Sequence, residues 1–293
     1  MLEDPLGGVT PSERSATLGA DWLGACRAAS AALGEILAAR PSTAERVAVT
    51  GTTGHGGDET LVIDADAESA VFTELDRLHE QGARFTAVSE ERGTVDYGDP
   101  CVIVIIDPID GSMNAKRRLP HHSISIAVAD GNTMGDVVFG YVYDYGPGEE
   151  WVARRGEGAF LDGRRLPTDV AERRDADGKL ELLGIESADP RWLREAGDDL
   201  VAAAHRVRAL GTIAVTLCQV AAARLDGMVT LKGCRGVDAA AGQLMVREAG
   251  GVVEFPSCND PLGAPLDTDP HSAIIAGRTA AAVQTLRPVP KRR

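Results

Sequence analysis

Residues 102–114, VIVIIDPIDGSMN, decide how this chain is read. Five apolar residues continue the run begun at Cys101 and end in two acids three residues apart, Asp107 and Asp110, closed by Gly111-Ser112. An apolar run bounded this way predicts a strand buried on both faces. Pro108 fixes the backbone after Asp107, so both carboxylates and the Ile109 carbonyl are aimed toward one spot. Crowded carboxylates raise each other's pKa unless a cation neutralises them. Hard oxygen donors select Mg²⁺, Mn²⁺ or Ca²⁺ over a soft metal. An EF-hand loop is a poor match because its later ligands are missing. If a turn or helix starts at Gly111-Ser112, its free amides suit a phosphate oxygen at the same spot.

The surrounding chain reads as layered α and β. Residues 21–40 and the segment carrying Val71, Leu75 and Leu78 have helical spacing. Residues 50–60 read as a Gly/Thr-rich loop, and residues 84–91 and 101–107 as strands. HSISIAVADG and DVVFGYVYD follow as strands, then a hairpin whose turn is Asp162-Gly163. In the second half, LELLGIES, GMVTLK, GVVEF and SAIIAG read as strands. Helices are expected over 191–204, over TIAVTLCQVAAARLDG with Ile213, Leu217 and Val220 on one face, and over VDAAAGQLMVREAGG. This pattern predicts one compact unit of two halves: 12–145 with most of the acids, and 146–285 as an α/β half completing the site.

The 293 residues carry a formal charge of -14, from 44 acids and 30 bases. That balance argues against nucleic acid or an anionic membrane as the main partner and leaves room for a small phosphorylated metabolite. The opening MLEDPLGGVTPSE is not of signal-peptide type, and no segment approaches the length needed to span a bilayer. Five cysteines without a CxxC pair are expected to be reduced and buried, which predicts a cytoplasmic location.

Other acids adjoin apolar elements: Asp64, the pair Glu90-Glu91, and Asp238. Each has a plain alternative. Asp64 and Asp238 would serve as helix N-caps, and the glutamates as solvated strand ends. The basic run 116–122, KRRLPHH, reads as a solvated face, with His121 and His122 outside any ligand pattern.

DPIDGSMN, SEERG, GVDAAAGQLMVREAGG and RRGEGAFLDGRRL, in this order, resemble the inositol monophosphatase superfamily over about residues 20–280. The resemblance implies an αβαβα sandwich of the sugar phosphatase type and a Mg²⁺-dependent, lithium-sensitive phosphatase. It also implies two or three Mg²⁺ per site, with Mn²⁺ as substitute, and a homodimer. By position, Glu90 would bind the first metal, Asp107 would bridge, Ile109 would give its carbonyl, and Asp110 and Asp238 would hold the second. Gly111 and Ser112 would bind phosphate, with the Ser112 hydroxyl and Asp64 beside the attacking water. Choosing Asp64 over Asp66, and Glu90 over Glu91, rests on spacing.

Arg208, Gly211 and Thr212 align with the wall facing the sugar, though Thr212 reads equally well as a helix N-cap. The inositol enzymes carry a glutamate seven residues before the last metal aspartate. Leu231 stands there, followed by Lys232, which disfavours inositol-style recognition and suits a second phosphate. GGDETLVID and SEERG resemble the archaeal branch acting on fructose 1,6-bisphosphate and inositol phosphate, except that Glu59 stands near the usual lysine. The expected activity is hydrolysis of sugar or cyclitol phosphates. A 3'-phosphonucleotide or histidinol-phosphate phosphatase, or a catalytically weak regulatory member, is the alternative. A phosphoenzyme route is disfavoured, since its nucleophile tip is D-x-D and this one is D-x-x-D.

Overall fold

The apolar run forms strand β5 (Val102–Asp110), buried along its whole length in a computed structural model that describes residues 10–47, 49–53 and 59–290. The side chains of 48–62 lie outside the described residues, and with them the Glu59 reading. β5 is an inner strand of an eight-stranded sheet ordered β10-β9-β8-β7-β6-β5-β3-β4. Its other members are β3 (Thr86–Ser89), β4 (Gly93–Asp96), β6 (Ser123–Asp130), β7 (Val137–Asp144), β8 (Glu149–Arg154), β9 (Gly158–Leu161) and β10 (Arg164–Arg165).

Neighbours on two faces explain why β5 reads as continuously apolar. One face packs on helices α2 (Trp22–Ala38) and α4 (Val62–Glu80), whose stripes include Leu33, Leu37, Val71, Leu75 and Leu78. The other packs on α8 (Ile213–Ala221) and α9 (Gly236–Glu248). Beyond these lies a five-stranded sheet ordered β12-β11-β13-β17-β15. It comprises β11 (Leu180–Glu186), β12 (Ala204–Arg208), β13 (Gly227–Thr230), β15 (Val252–Glu254) and β17 (Ile275–Gly277). Its far side is covered by α6 (Pro190–Glu195), α7 (Gly197–Ala203) and α10 (Ala280–Leu286). The layers are therefore α, β, α, β, α. Smaller elements complete the chain: α1 (Pro11–Leu18), α3 (Thr43–Arg46), α5 (Ser112–Arg117), and the strand pairs β1 (Val49–Thr53) with β2 (Glu59–Leu61) and β14 (Cys234–Arg235) with β16 (Pro270–Ser272).

Several expectations change in detail. The division at 145/146 falls inside the first sheet, because β8 pairs with β7 and the ladder runs on to Arg165. Residues 191–204 form two short helices broken at Ala196 and Gly197, where the poor helix propensity of glycine coincides with the break. Segments of the expected 50–60 loop pair as β1 and β2. α8 is buried on every side rather than along one stripe, since both sheets enclose it. All five cysteines are free, with Cys101 and Cys258 only partly buried. Among the described residues no helix is long and apolar enough to cross a membrane.

Candidate active site

The tip of β5 departs from regular pairing. Asp107 pairs with Ser125 and Asp110 with Ser123, so three steps on β5 oppose two on β6. The extra residue makes a bulge, which tolerates Pro108 inside a sheet and re-aims the acids on either side. Asp107 accepts a hydrogen bond from the Ile109 amide at 3.0 Å and is buried. β3 runs parallel to β5 with Ser89 beside Ile106, which sets Glu90 next to Asp107. Glu68, buried on α4, accepts hydrogen bonds from the Ser89 hydroxyl and the Arg92 amide (3.1 Å), tying down the turn that carries Glu90.

One turn before Glu68 on the same helix face, Asp64 lies 3.7 Å from the Lys116 ammonium of α5. Asp66 instead pairs with Arg40. Asp64, Glu90, Glu91, Asp107, Pro108, Ile109, Ser112 and Lys116 together line a cavity of about 70 Å³. The basic run is thus no simple solvated face. Lys116 enters this cavity, His121 Nδ1 lies 2.8 Å from buried Asp144, and His122 is buried, with its pKa lowered by that burial.

A second, larger cavity of about 550 Å³ is lined by Asp110 and Asp238, whose charges act on Asp107 of the first. Thr212 caps α8, accepting the Val215 amide at 3.2 Å, and donates its hydroxyl to Asp110; the Ala214 amide also donates to Asp110 at 2.7 Å. The N-cap reading of Thr212 is realised, and the same side chain lines the cavity. The 210–212 turn is clamped from two sides. Glu186 accepts from the Leu210 and Gly211 amides (2.9 and 3.0 Å) and from the Thr216 hydroxyl (2.7 Å). Asn114 donates to the carbonyls of Leu210 (2.7 Å) and His121 (2.9 Å). Gly111 sits beneath that turn at φ 85°, where a Cβ would lie 3.1 Å from the carbonyl oxygens of Gly211 and His121.

Lys232 lines the same cavity, its ammonium 5.3 Å from the centre of the Trp192 ring, whereas Leu231 is buried. Arg208 is not brought to the lining. It is exposed at the end of β12, and its guanidinium turns to the Val207 carbonyl at 2.8 Å.

Asp238 lies on the first turn of α9, not at its N-cap position, and is held by Arg235, whose Nη2 is 2.7 Å from Asp238 Oδ1 and whose Nη1 is 2.5 Å from Glu90 Oε1. Burial, with Glu90, Asp110 and Asp238 nearby, pushes the Asp107 carboxyl well above its ordinary pKa. Asp110 is pushed up to about 7, chiefly by burial and then by Asp238, against the hydrogen bonds from Thr212 and Ala214. Oxygen-only donors crowded until they resist ionisation fit hard divalent cations, whose charge would remove that penalty. Among the described residues, three acid or histidine ligand atoms come within 4.8 Å of one another at Asp267, Asp269 and His271, not at these acids, where Arg235 intervenes.

Sequence reasoning missed Arg235, Lys116, Asn114 and Glu186. Glu186 ends a strand and Arg235 stands three residues before a helix acid, so both carried a positional signal; Lys116 was hidden in a run of bases.

A model of the inositol monophosphatase family matches residues 21–290. The chain is 38% identical over 198 residues to a fructose-1,6-bisphosphatase/inositol-1-monophosphatase of Thermococcus kodakarensis, covering 67% of this chain and 70% of that protein. It is 36% identical over 195 residues to Nus factor SuhB of Escherichia coli, covering 65% and 69%. The crystal structure of an inositol monophosphatase-fructose 1,6-bisphosphatase shares the fold with a TM-score of 0.73 at 24% identity, covering 91% of this chain and 98% of that one.

Proposed function

Because the chain belongs to the inositol monophosphatase family and is a phosphoric monoester hydrolase, we propose that it is a Mg²⁺-dependent phosphatase of small sugar or cyclitol phosphates, of the fructose-1,6-bisphosphatase and inositol-1-monophosphatase type. The observation that carries this reading is that Glu90, Asp110 and Asp238 all lie close enough to raise the pKa of Asp107. Glu90 and Asp107 line the small cavity, and Asp110 and Asp238 line the larger one, which has room for a sugar phosphate. Glu90, Asp107, the Ile109 carbonyl, Asp110 and Asp238 would hold two or three Mg²⁺, or Mn²⁺ in their place. Bound there, the cations supply Lewis acidity, neutralise phosphoryl oxygens and lower the pKa of water.

The protein's own groups do the positioning. The Gly111 and Ser112 amides, at the start of α5, bind phosphate oxygens. The Ser112 hydroxyl and Asp64, with Lys116 beside it, orient the attacking water. Water adds to phosphorus, the ester P–O bond breaks, and the departing alcohol oxygen takes up a proton, giving alcohol and inorganic phosphate. Asp110, fixed by Thr212 and the Ala214 amide, and the Gly211 turn face the alcohol side. Lys232 faces a further anionic group there, which favours a bisphosphate over a plain cyclitol phosphate. Arg208 contributes only if the edge strand carrying it rearranges. A cytoplasmic homodimer is part of the same proposal, and sedimentation of the purified chain tests the dimer.

Phosphate release from fructose 1,6-bisphosphate, inositol 1-phosphate, 3'-phosphoadenosine 5'-phosphate and histidinol phosphate tests the reading. The first two should be turned over with Mg²⁺, and Asp107→Asn should lower turnover by roughly three orders of magnitude in a folded protein. Undiminished turnover by that variant would overturn it. The likeness to Nus factor SuhB favours a second reading, a regulatory partner of weak activity; inertness of the parent on every ester would select it.

A further inference from the structure

Arg235 spans two acids that lie 145 and three residues from it in the sequence. Its Nε and Nη2 face Asp238 Oδ2 and Oδ1 at 3.2 and 2.7 Å, its own amide donates to Asp238 Oδ2 at 3.2 Å, and its Nη1 reaches Glu90 Oε1 at 2.5 Å. The three side chains are each less than a third exposed. The acids in turn hold the guanidinium's proton far more tightly than usual, so it is a permanent cation. Of the four acids assigned to metal above, Glu90 and Asp238 are the two that a cationic side chain already pairs with. Asp107 and Asp110 meet no cationic side chain within hydrogen-bond distance among the described residues.

A carboxylate oxygen that accepts a charged N–H in its plane has less electron density and less room for a metal ion. Nη2 on Oδ1 and Nε on Oδ2 engage both Asp238 oxygens at once. We propose that Arg235 is a resident counter-ion of this centre: it balances the acids when the cation is absent and must be displaced from Glu90 and Asp238 for the site to load. The proposal rests on the metal reading given above. Displacement also has a destination. Arg235 already lines the 550 Å³ cavity with Lys232, so the freed guanidinium faces the ligand side of the site. It would there present a planar pair of donors suited to a phosphoryl group. Arg235 is thus a positioning residue that couples ion loading to the charge of the substrate pocket.

Calorimetric titration of the full chain with MnCl₂, after exhaustive dialysis against chelator, tests this apart from turnover. The parent should bind Mn²⁺ and lose that binding in Asp107→Asn. Arg235→Gln should bind roughly tenfold more tightly, because a unit positive charge within a few ångströms has been removed from a half-buried site. Arg235→Lys should fall between, since an ammonium cannot form the planar pair with Asp238 and reach Glu90 together. In chelator, Arg235→Gln should melt below the parent, and saturating Mn²⁺ should close the gap. Equal or weaker Mn²⁺ binding by Arg235→Gln beside a parent that binds normally would overturn the counter-ion role while leaving the metal reading intact. A parent that takes up no Mn²⁺ would overturn the metal reading and this inference together.

Discussion

Gly111 shows how narrowly single residues are constrained here. At φ 85° it occupies the left-handed region, and a Cβ would press on two carbonyl oxygens and on Thr212. Gly111→Ala should therefore cost about 1–3 kcal/mol in urea unfolding and displace the start of α5, with turnover falling more than stability. Glu186 makes a different kind of demand. Burial raises its pKa to about 7 from an ordinary 4.5, against three hydrogen bonds that favour the ionised form. A raised folded-state value means that the folded protein holds the proton more tightly than the unfolded chain. The associated stability is complete below about pH 4.5 and is lost as pH rises through about 7, on the order of 3 kcal/mol in all. Glu186→Gln should flatten that decline in melting temperature, measured in chelator between pH 4.5 and 8. An unchanged slope would assign it to other groups.

At the scale of elements, the termini of α8 and α9 do most to join the layers. Their N-terminal ends supply Thr212, the Ala214 amide and Asp238 to the site. Their C-terminal ends converge on Arg278, which is buried and donates to the carbonyls of Val220 (3.3 Å), Ala221 (2.9 Å) and Ala249 (3.0 Å), and to that of Val170 (2.9 Å). Burying a guanidinium without a carboxylate is costly, but the negative ends of two helices and four carbonyls offset the cost. Arg278→Met would orphan those carbonyls and should destabilise the protein by about 3 kcal/mol or more in urea at fixed Mg²⁺, with turnover per folded molecule retained.

Periodicity revealed most of these elements because helix stripes and a doubly buried strand are local patterns. β5, α4 and the Asp162-Gly163 turn, both residues at positive φ, lie where the residues suggest. The β5 bulge was legible only as Pro108. The hairpin around Asp162-Gly163 was legible, but its pairing onto the first sheet was not, because strand pairing is a long-range choice that local pattern does not encode. Arg208 fails to reach the pocket for the same reason: its strand sits at an edge whose position depends on β11 and α7.

Over the whole molecule, the two sheets enclose α8 and α9 so that the carboxyl ends of β3, β5 and β11 open on one face. The spacing of Asp107 and Asp110 was visible in the sequence, and so were Glu90 and Asp238 through resemblance. The guanidinium set between Glu90 and Asp238 was not, since it joins residues 145 apart. Cations held there would stabilise the folded state. Saturating Mg²⁺, near 100 times its dissociation constant, should add about 2.7 kcal/mol to stability, and Asp107→Asn should lose that gain.

Divalent cations are proposed to be held among Glu90, Asp107, the Ile109 carbonyl, Asp110 and Asp238. Anomalous diffraction from a crystal soaked in Mn²⁺ tests it most directly. At least one peak is expected, ligated by Asp107 and by Asp110 or Glu90, with the Arg235 guanidinium withdrawn from that ligand sphere. A peak confined to Asp267, Asp269 and His271, or no peak at these acids with Arg235 still bridging Glu90 and Asp238, would contradict it.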